Sequence, residues 1–180
     1  MAPETTTSSI NSARYAPDLV GRFWEDIEVG DHVSDYPDGT VLITDGMISD
    51  FARLSGDFNP IHVDAGFARR TVHRKPIAHG ILLASIALGR YHNTGYTYGT
   101  TIALLHTHID YVGRAYSGDE VWAEFIVTGK ETNPHPKRGV VHFDAWLRKA
   151  DSDETLVEIR FDSIVCRRSE TALRRLGCQK

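Results

Sequence analysis

The feature that most restricts the fold is one apolar helix followed by four alternating strands. Residues 80–92 contain the apolar run 81–88, which has no proline and is apolar on nearly every face, as a buried helix is. Turn-forming residues then separate four predicted strands. These strands span residues 101–112, 119–130, 139–150 and 154–167.

The odd-numbered positions of the four strands form one apolar face. They are Ala103, Leu105, Ile109 and Tyr111, then Val121, Ala123, Phe125 and Val127, then Val141, Phe143, Ala145 and Leu147, and last Val157, Ile159, Phe161 and Val165. Because side chains alternate across a strand, such a sheet has one face that must be covered. One buried helix against it makes a two-layer α+β domain.

The segment before the apolar helix predicts two short strands and another helix. The strands are expected near 32–36 and 40–43, with a turn at 37–39 between them. Thr44 is a suitable cap for the first residue of the helix, and Gly56 is placed just beyond its end. This helix delivers the chain to the loop that follows.

A chain of 180 residues suits one domain with a sizeable core. We expect residues 1–20 to form a disordered N-terminal arm, because they are rich in Ser and Thr and poor in apolar residues. The folded domain is expected to span 21–168, and 169–180 to form a C-terminal tail.

Charge and cysteine content exclude several classes of protein. The net charge of −4, with Lys and Arg scattered, argues against a nucleic-acid partner. The longest apolar run is too short to span a membrane, and the N-terminus lacks a signal-peptide pattern. Cys166 and Cys178 do not make a disulfide framework, so a cytoplasmic location is expected.

Residues 55–62, which read SGDFNPIH, hold a candidate pair of proton-transferring groups. Asp57 and His62 can together take one proton and give another. Gly56 and Pro60 are expected to keep this segment irregular, and catalytic groups are often found on loops that a scaffold positions. The spacing alone is weak evidence, since a capped turn with a surface histidine has the same pattern.

A longer pattern around this pair carries a family resemblance. Residues 51–64 read FARLSGDFNPIHVD, residues 75–85 read KPIAHGILLAS, and Gly80 follows His62 by eighteen positions. Over about residues 23–165 the chain resembles the MaoC-like, (R)-specific enoyl-CoA hydratase family. The resemblance implies an α+β hotdog fold, in which a curved antiparallel sheet wraps a long central helix. It also implies a homodimer or a dimer of dimers.

Hydration of a conjugated thioester needs a base, an acid and a donor for the negative charge on the thioester oxygen. Asp57 and His62 can fill the first two roles, and the resemblance implies that they hold one water between them. Gly80 can fill the third, because it begins the predicted helix and offers an N–H at the positive end of the helix dipole.

Three further residues are candidates for substrate binding. Asn59 either orients the pair and pins its loop or serves only the turn conformation. His79 is either part of the site or only a helix-entry residue, and Ser85 is either part of it or a packing residue bonded to the preceding turn. The chain departs from the family at Leu88, where some hydratases have a serine eight residues after the glycine.

The predicted function is a hydro-lyase that reversibly hydrates a 2-enoyl thioester to a 3-hydroxyacyl thioester. A hotdog thioesterase and a non-catalytic subunit of a heteromeric dehydratase are the alternatives. The substrate would be an acyl-CoA or an acyl-carrier-protein thioester, with the pantetheine as part of the substrate.

No metal and no other cofactor is predicted. His106 and His108 share one face of a strand, but no third ligand stands at a recognisable spacing. Several cations either meet the phosphates of coenzyme A or are ordinary solvated surface charges. They are Arg69, Arg70, Arg74, Lys75, Arg90, Lys137 and Arg138.

Overall fold

The computed structural model describes residues 20–131 and 135–169. The predictions for the arm before residue 20, the turn at 133–134 and the tail from residue 170, which includes Cys178, lie outside the described residues.

Four helices and six strands make up the described part of the chain, and a short 3-10 helix (Trp24–Asp26) precedes them. In chain order they are β1 (His32–Ser34), β2 (Val41–Leu42), α1 (Asp45–Ser55), α2 (Pro60–Val63), α3 (Ala65–Ala68), α4 (Gly80–Asn93), β3 (Thr101–Tyr111), β4 (Glu120–Glu131), β5 (Arg138–Lys149) and β6 (Thr155–Cys166). The strands form one antiparallel sheet in the order β1-β4-β5-β6-β3, and β2 also pairs with β4.

The hydrophobic core lies between α4 and strands β4, β5 and β6. Every predicted odd-numbered position on these three strands is buried, which confirms their apolar face. Tyr91 of α4 is nearly inaccessible, and its ring centroid lies 5.1–5.3 Å from those of Phe125, Phe143 and Phe161. The predicted two-layer α+β arrangement is therefore present.

Local sequence signals set both ends of α1 as predicted. The Thr44 hydroxyl accepts a hydrogen bond from the Met47 N–H at 3.1 Å and so caps the first turn. Gly56 follows the last residue with φ 79°, a left-handed conformation that glycine adopts without a steric penalty, and its N–H bonds to the Ala52 carbonyl. The chain then turns away toward Asp57.

Helix α4 differs from its prediction, because it is not buried on every face. Leu82, Leu83 and Ala87 are buried, whereas Ile81 is 53% exposed and Ser85 is also exposed. The exposed positions lie four residues apart and therefore form one stripe along the helix. No helix in the described ranges is long and apolar enough to cross a membrane.

The prediction for β3 was wrong at Ala103 and Leu105. Two register shifts interrupt this strand, and each one changes which side chains point to a given face. Ala103 therefore lies opposite Ile164, Leu105 falls within the second shift, and Leu104 lies opposite the buried Ser163. Since β3 is also an edge strand, its apolar side chains are much more exposed than those of β4–β6.

Candidate active site

Three hydrogen bonds fix the backbone around Asp57. The Ser55 hydroxyl accepts from the Asp57 N–H at 3.2 Å, and Asp57 Oδ1 accepts from the Asn59 N–H at 3.1 Å. The Ser55 hydroxyl itself donates to the Phe51 carbonyl of α1 at 2.7 Å. One carboxylate oxygen of Asp57 is thus used to shape the loop, and Oδ2 stays available.

His62 lies on a short helix, and not on irregular backbone as the sequence suggested. Pro60 occupies the first turn of α2, where its missing N–H costs no hydrogen bond. Asn59 caps this helix, because its Oδ1 accepts from the Ile61 N–H at 3.3 Å. The contacts of Asn59 therefore pin the loop that joins Asp57 to His62.

A backbone carbonyl fixes the orientation and the tautomer of His62. Its Nδ1 lies 2.7 Å from the Ile77 carbonyl oxygen. Because that oxygen can only accept, the hydrogen of the neutral ring is on Nδ1 and Nε2 has a free lone pair. This Nε2 lies 4.0 Å from Asp57 Oδ2, and the imidazole is 10% exposed against 51% for the carboxylate.

Burial lowers the pKa of His62 below its ordinary value, and the neighbouring His79 adds to the effect. The Ile77 carbonyl and the Asp57 carboxylate act in the opposite direction but do not outweigh burial. The ring is therefore neutral at pH 7, and Nε2 is a proton acceptor.

His79 supports the pair from behind. It is 2% exposed, and its Nε2–H donates to the Asp57 carbonyl at 3.0 Å. Its ring stacks on the ring of His62, with centroids 3.8 Å apart. It also contacts the ring of Phe51, whose centroid lies 5.0 Å away. These contacts give His79 the geometry of a residue that positions both Asp57 and His62.

Gly80 is the first residue of α4, so its N–H has no acceptor within the helix. The ring of Tyr111, at the end of β3, lies directly over it. A β-carbon at position 80 would come within 2.8–3.2 Å of three ring atoms, so only glycine fits without a shift of the ring. Burial raises the pKa of Tyr111.

Tyr111 is the site residue that the sequence analysis missed. Its odd number and apolar ring placed it on the predicted core face of β3, with no sign that it would meet Gly80. The Ile77 carbonyl was missed for another reason, since a backbone group gives no signal in the residue type.

Ser85 is not brought to the pair. Its hydroxyl donates to the Ile81 carbonyl at 2.7 Å, on the exposed face of α4 and about 7.5 Å along the helix axis from Gly80. This is the bond to the preceding turn that was the alternative interpretation. A role for Ser85 in substrate binding stays a prediction.

One group of potential metal ligands occurs among the described residues, and it is the site itself. Ligand atoms of Asp57, His62 and His79 lie within 4.8 Å of one another. Imidazole binds an ion in the plane of its ring, whereas these two rings are stacked 3.8 Å apart in nearly parallel planes, so one ion close to both rings cannot lie in both planes. This geometry is unfavourable for one ion bound by both rings.

Comparison with known proteins gives the family. The model of the family described as MaoC like domain matches residues 29–145. An (R)-specific enoyl-CoA hydratase of Rhodospirillum rubrum is 35% identical over 118 residues, which cover 63% of this chain and 75% of that protein. The chain therefore belongs to the MaoC-like domain family.

A second relative is the (R)-specific enoyl-CoA hydratase of Aeromonas caviae, 39% identical over 88 residues. That match covers 48% of this chain and 64% of the Aeromonas protein, slightly less than two thirds. Both named relatives are hydratases, in agreement with the predicted class of enzyme.

Solved structures agree on the fold. A structure described as a monoamine oxidase regulatory protein, from Archaeoglobus, matches with a TM-score of 0.74 at 26% identity and covers 83% of this chain and 97% of that chain. A Mycobacterium tuberculosis protein described as a double hotdog fold matches with a TM-score of 0.72 at 15% identity, over 83% of this chain and 46% of that one. The predicted α+β hotdog fold is confirmed.

Proposed function

We propose that this protein catalyses the reversible hydration of a 2-enoyl-CoA to a 3-hydroxyacyl-CoA. The observation that carries the proposal is the 4.0 Å gap between Asp57 Oδ2 and His62 Nε2, two proton acceptors that face each other. Support also comes from the similarity to two proteins named (R)-specific enoyl-CoA hydratase, from which we infer a (3R)-hydroxyacyl product.

The gap has the right size for one water. If a water oxygen lay at a hydrogen-bond distance of about 2.8 Å from both atoms, the angle Oδ2–O–Nε2 at that oxygen would be about 90°. This is close to the angle between the two O–H bonds of water. Such a water donates one hydrogen to Asp57 and the other to His62. Its lone pairs then face away from both residues, toward the substrate.

The reaction adds the hydroxyl group of one water to Cβ and a proton to Cα. The water oxygen forms a bond to Cβ while one of the two residues takes a proton, and the electron pair of the double bond moves toward the thioester. Asp57 and His62 together then return a proton to Cα, which restores both residues to their starting protonation states. Because one water supplies both groups, they are added to the same face of the substrate.

Gly80 is proposed to bind the thioester oxygen, on which negative charge develops when the water attacks. A backbone N–H at the start of α4 is fixed before the substrate arrives and lies at the positive end of the helix dipole. Since hydration transfers no electrons and this donor polarises the carbonyl, we propose that activity needs no metal and no redox cofactor.

The test is a panel of 2-enoyl-CoA and (3R)- and (3S)-hydroxyacyl-CoA substrates. Hydration should remove the absorbance of the conjugated thioester without releasing free thiol, and dehydration should restore it from the (3R) isomer only. Release of free CoA, measured with a thiol reagent, would identify a thioesterase instead. Absence of any turnover across the panel would favour a non-catalytic subunit.

We also propose that the active protein is a homodimer. The edge strand β3 exposes Ile102, Leu104 and Leu105 to between 44% and 49%, and no strand of the described residues pairs with its outer side. A long apolar edge of this kind favours pairing with a second chain. Light scattering at assay concentration should give at least twice the chain mass, and an active monomer would contradict the proposal.

A further inference from the structure

We propose that residues 69–75, together with Arg114, bind the phosphate groups of coenzyme A. This inference rests on the proposed function, since it concerns the same thioester substrate. Of the seven cations that the sequence offered for the phosphates of coenzyme A, four lie in residues 69–75, and Arg114 is an additional candidate.

The first observation is local charge. Between Asp57 and Asp110 the sequence contains a single carboxylate, Asp64, although the whole chain has a net charge of −4. Within this span the seven residues 69–75 carry four cations. The Oδ1 of Asp64 is used to cap α3, where it accepts from a backbone N–H at 2.9 Å. The segment therefore creates a positive field that its own sequence neighbours do not cancel.

The second observation is that these cations are exposed and have no carboxylate partner within the described ranges 20–131 and 135–169. This holds for Arg69, Arg70, Arg74 and Lys75. Arg70 lies over the Phe67 ring at 5.7 Å and Lys75 over the Tyr116 ring at 4.2 Å. Such contacts hold the long side chains in place without neutralising them.

The third observation is the position of the segment, because it leads directly into the site. Two residues after Lys75, the Ile77 carbonyl holds His62, and the Ile77 N–H donates to the Ile61 carbonyl at 3.1 Å. Five residues separate Lys75 from Gly80, so the extended chain between them spans at most about 18 Å. The cations thus lie within reach of one substrate whose thioester is at Gly80.

Arg114 joins the same surface from the other side. Its Nη1 lies 3.4 Å from Nδ1 of His73, and the Tyr116 hydroxyl donates to the His73 carbonyl at 3.5 Å. The turn after β3 is therefore attached to the basic segment, although forty-one residues separate Arg114 from His73.

The three remaining candidates are excluded by their surroundings. Arg90 is mostly buried and forms an ion pair with Asp35. Arg138, and Lys137 before it, lie at the opposite end of β5 from Leu147, which is about 30 Å away at 3.3 Å per residue. The β6 residue that pairs with Leu147 also pairs with Tyr111, whose ring lies over Gly80. The Leu147 end of β5 is therefore the end near Gly80.

The chemistry of the ligand matches this surface. The pantetheine arm of coenzyme A separates the thioester from a diphosphate and a 3′-phosphate, which together carry several negative charges. Guanidinium groups bind phosphate with paired hydrogen bonds, and an ammonium group adds a point charge. An acyl-carrier protein presents the same arm on one phosphodiester, so the basic segment favours the nucleotide-bearing thioester.

The test is the binding of two non-enoyl probes by calorimetry, which needs no turnover. Acetyl-CoA has the phosphates and S-acetylpantetheine lacks them. Arg70→Gln and Lys75→Gln should each weaken acetyl-CoA binding about 3- to 10-fold, the size expected for a charged contact at a solvent-exposed site. Binding of S-acetylpantetheine, measured by competition, should not change. Lys137→Gln is the matched control and should leave both affinities as they are.

Other results would overturn the proposal. These are equal losses for both probes, no loss for either, a loss with Lys137→Gln of the same size, or no binding of acetyl-CoA by the wild type. A loss confined to an acyl-carrier-protein thioester would assign the surface to a protein partner instead. Because neither probe can be hydrated, normal binding with no hydratase activity would reject the proposed reaction and leave the phosphate site intact.

Discussion

The two ends of α4 hold polar groups of opposite kinds. At the C-terminal end both oxygens of Asp35 are occupied, one by Arg90 and the other by the Ala123 N–H at 2.9 Å, and the side chain is 4% exposed. At the N-terminal end Asp57 is half exposed, and its Oδ2 faces His62 across a gap of 4.0 Å. Both carboxylate oxygens of Asp35 are thus used within the protein, although Arg90 Nη2 is buried without a hydrogen-bond partner among the described residues. The gap beside Asp57, in contrast, has room for a further molecule.

The aromatic groups follow the same division. The Tyr91 hydroxyl, deep in the core, accepts from the Thr97 hydroxyl at 2.7 Å. The Tyr111 ring at the other end is half exposed and covers Gly80, whose N–H has no acceptor within the helix. Buried polar groups that are fully paired stabilise a fold, while unpaired ones aimed at a gap can act on a substrate.

The largest effect is expected from changes at the N-terminal end. Asp57→Asn and His62→Gln should each lower kcat by about 10² to 10⁴-fold, the usual contribution of a positioned acid or base. Because Asp57 is exposed, the Tm of Asp57→Asn should change little. His62→Gln removes the ring stack on His79 and should lower Tm, so its kcat is taken per folded molecule. Stopped assays measure kcat, and thermal unfolding measures Tm. If kcat fell only in proportion to the loss of folded protein, the two ends of α4 would not differ in function.

The reverse pattern is expected at the C-terminal end. Asp35→Asn leaves the Arg90 charge buried without its partner, which should cost about 3–5 kcal/mol of unfolding free energy. Urea unfolding measures this loss. The fraction that remains folded should keep the wild-type kcat, and a variant of normal stability with poor kcat would show that the ion pair serves the site.

A smaller effect is expected where Gly80 meets Tyr111. Gly80→Ala forces the ring to move, and a displacement near the reacting atoms should lower kcat about 10- to 100-fold. In a Tyr111→Ala background the same change should cost much less, since the obstacle is gone. Equal costs in the two backgrounds would mean that the contact with Tyr111 does not matter.

The smallest effect concerns pH. Burial disfavours the charged form of His62 and lowers its pKa below 6.5, so its Nε2 stays unprotonated as the pH falls through 6.5. The acid limb of kcat/KM should therefore lie below pH 6.5. Asp57 acts to raise this pKa, so residual activity in Asp57→Asn should show an acid limb at still lower pH. A limb above pH 6.5 in the wild type would contradict the assignment.

The sequence predicted features that depend on neighbours along the chain. Thr44 and Gly56 end α1 because capping is local, and the strands β4–β6 alternate because each has one buried face. The pairing of Asp57 with His62 came from the motif. What the sequence could not predict depends on contacts between distant segments, such as the Ile77 carbonyl that fixes the tautomer of His62.

The register shifts in β3 also depend on contacts between segments that are distant in the sequence. No residue type in that strand marks them, yet they decide which side chains of β3 face the core and make its predicted face wrong at two positions. The exposed stripe of α4 was missed because hydrophobicity alone does not show which apolar side chains of a helix pack against its own sheet.

Whether Asp57 and His62 act together on one water is tested most directly by the kcat of the double variant Asp57→Asn/His62→Gln beside the two single variants. If both residues act on one water, removing the second after the first costs little, because residues that work as a unit are strongly non-additive. We expect the kcat of the double variant to lie within about 10-fold of the worse single variant, with binding of acetyl-CoA unchanged. Losses that multiply, so that each residue contributes its full factor independently, would contradict it.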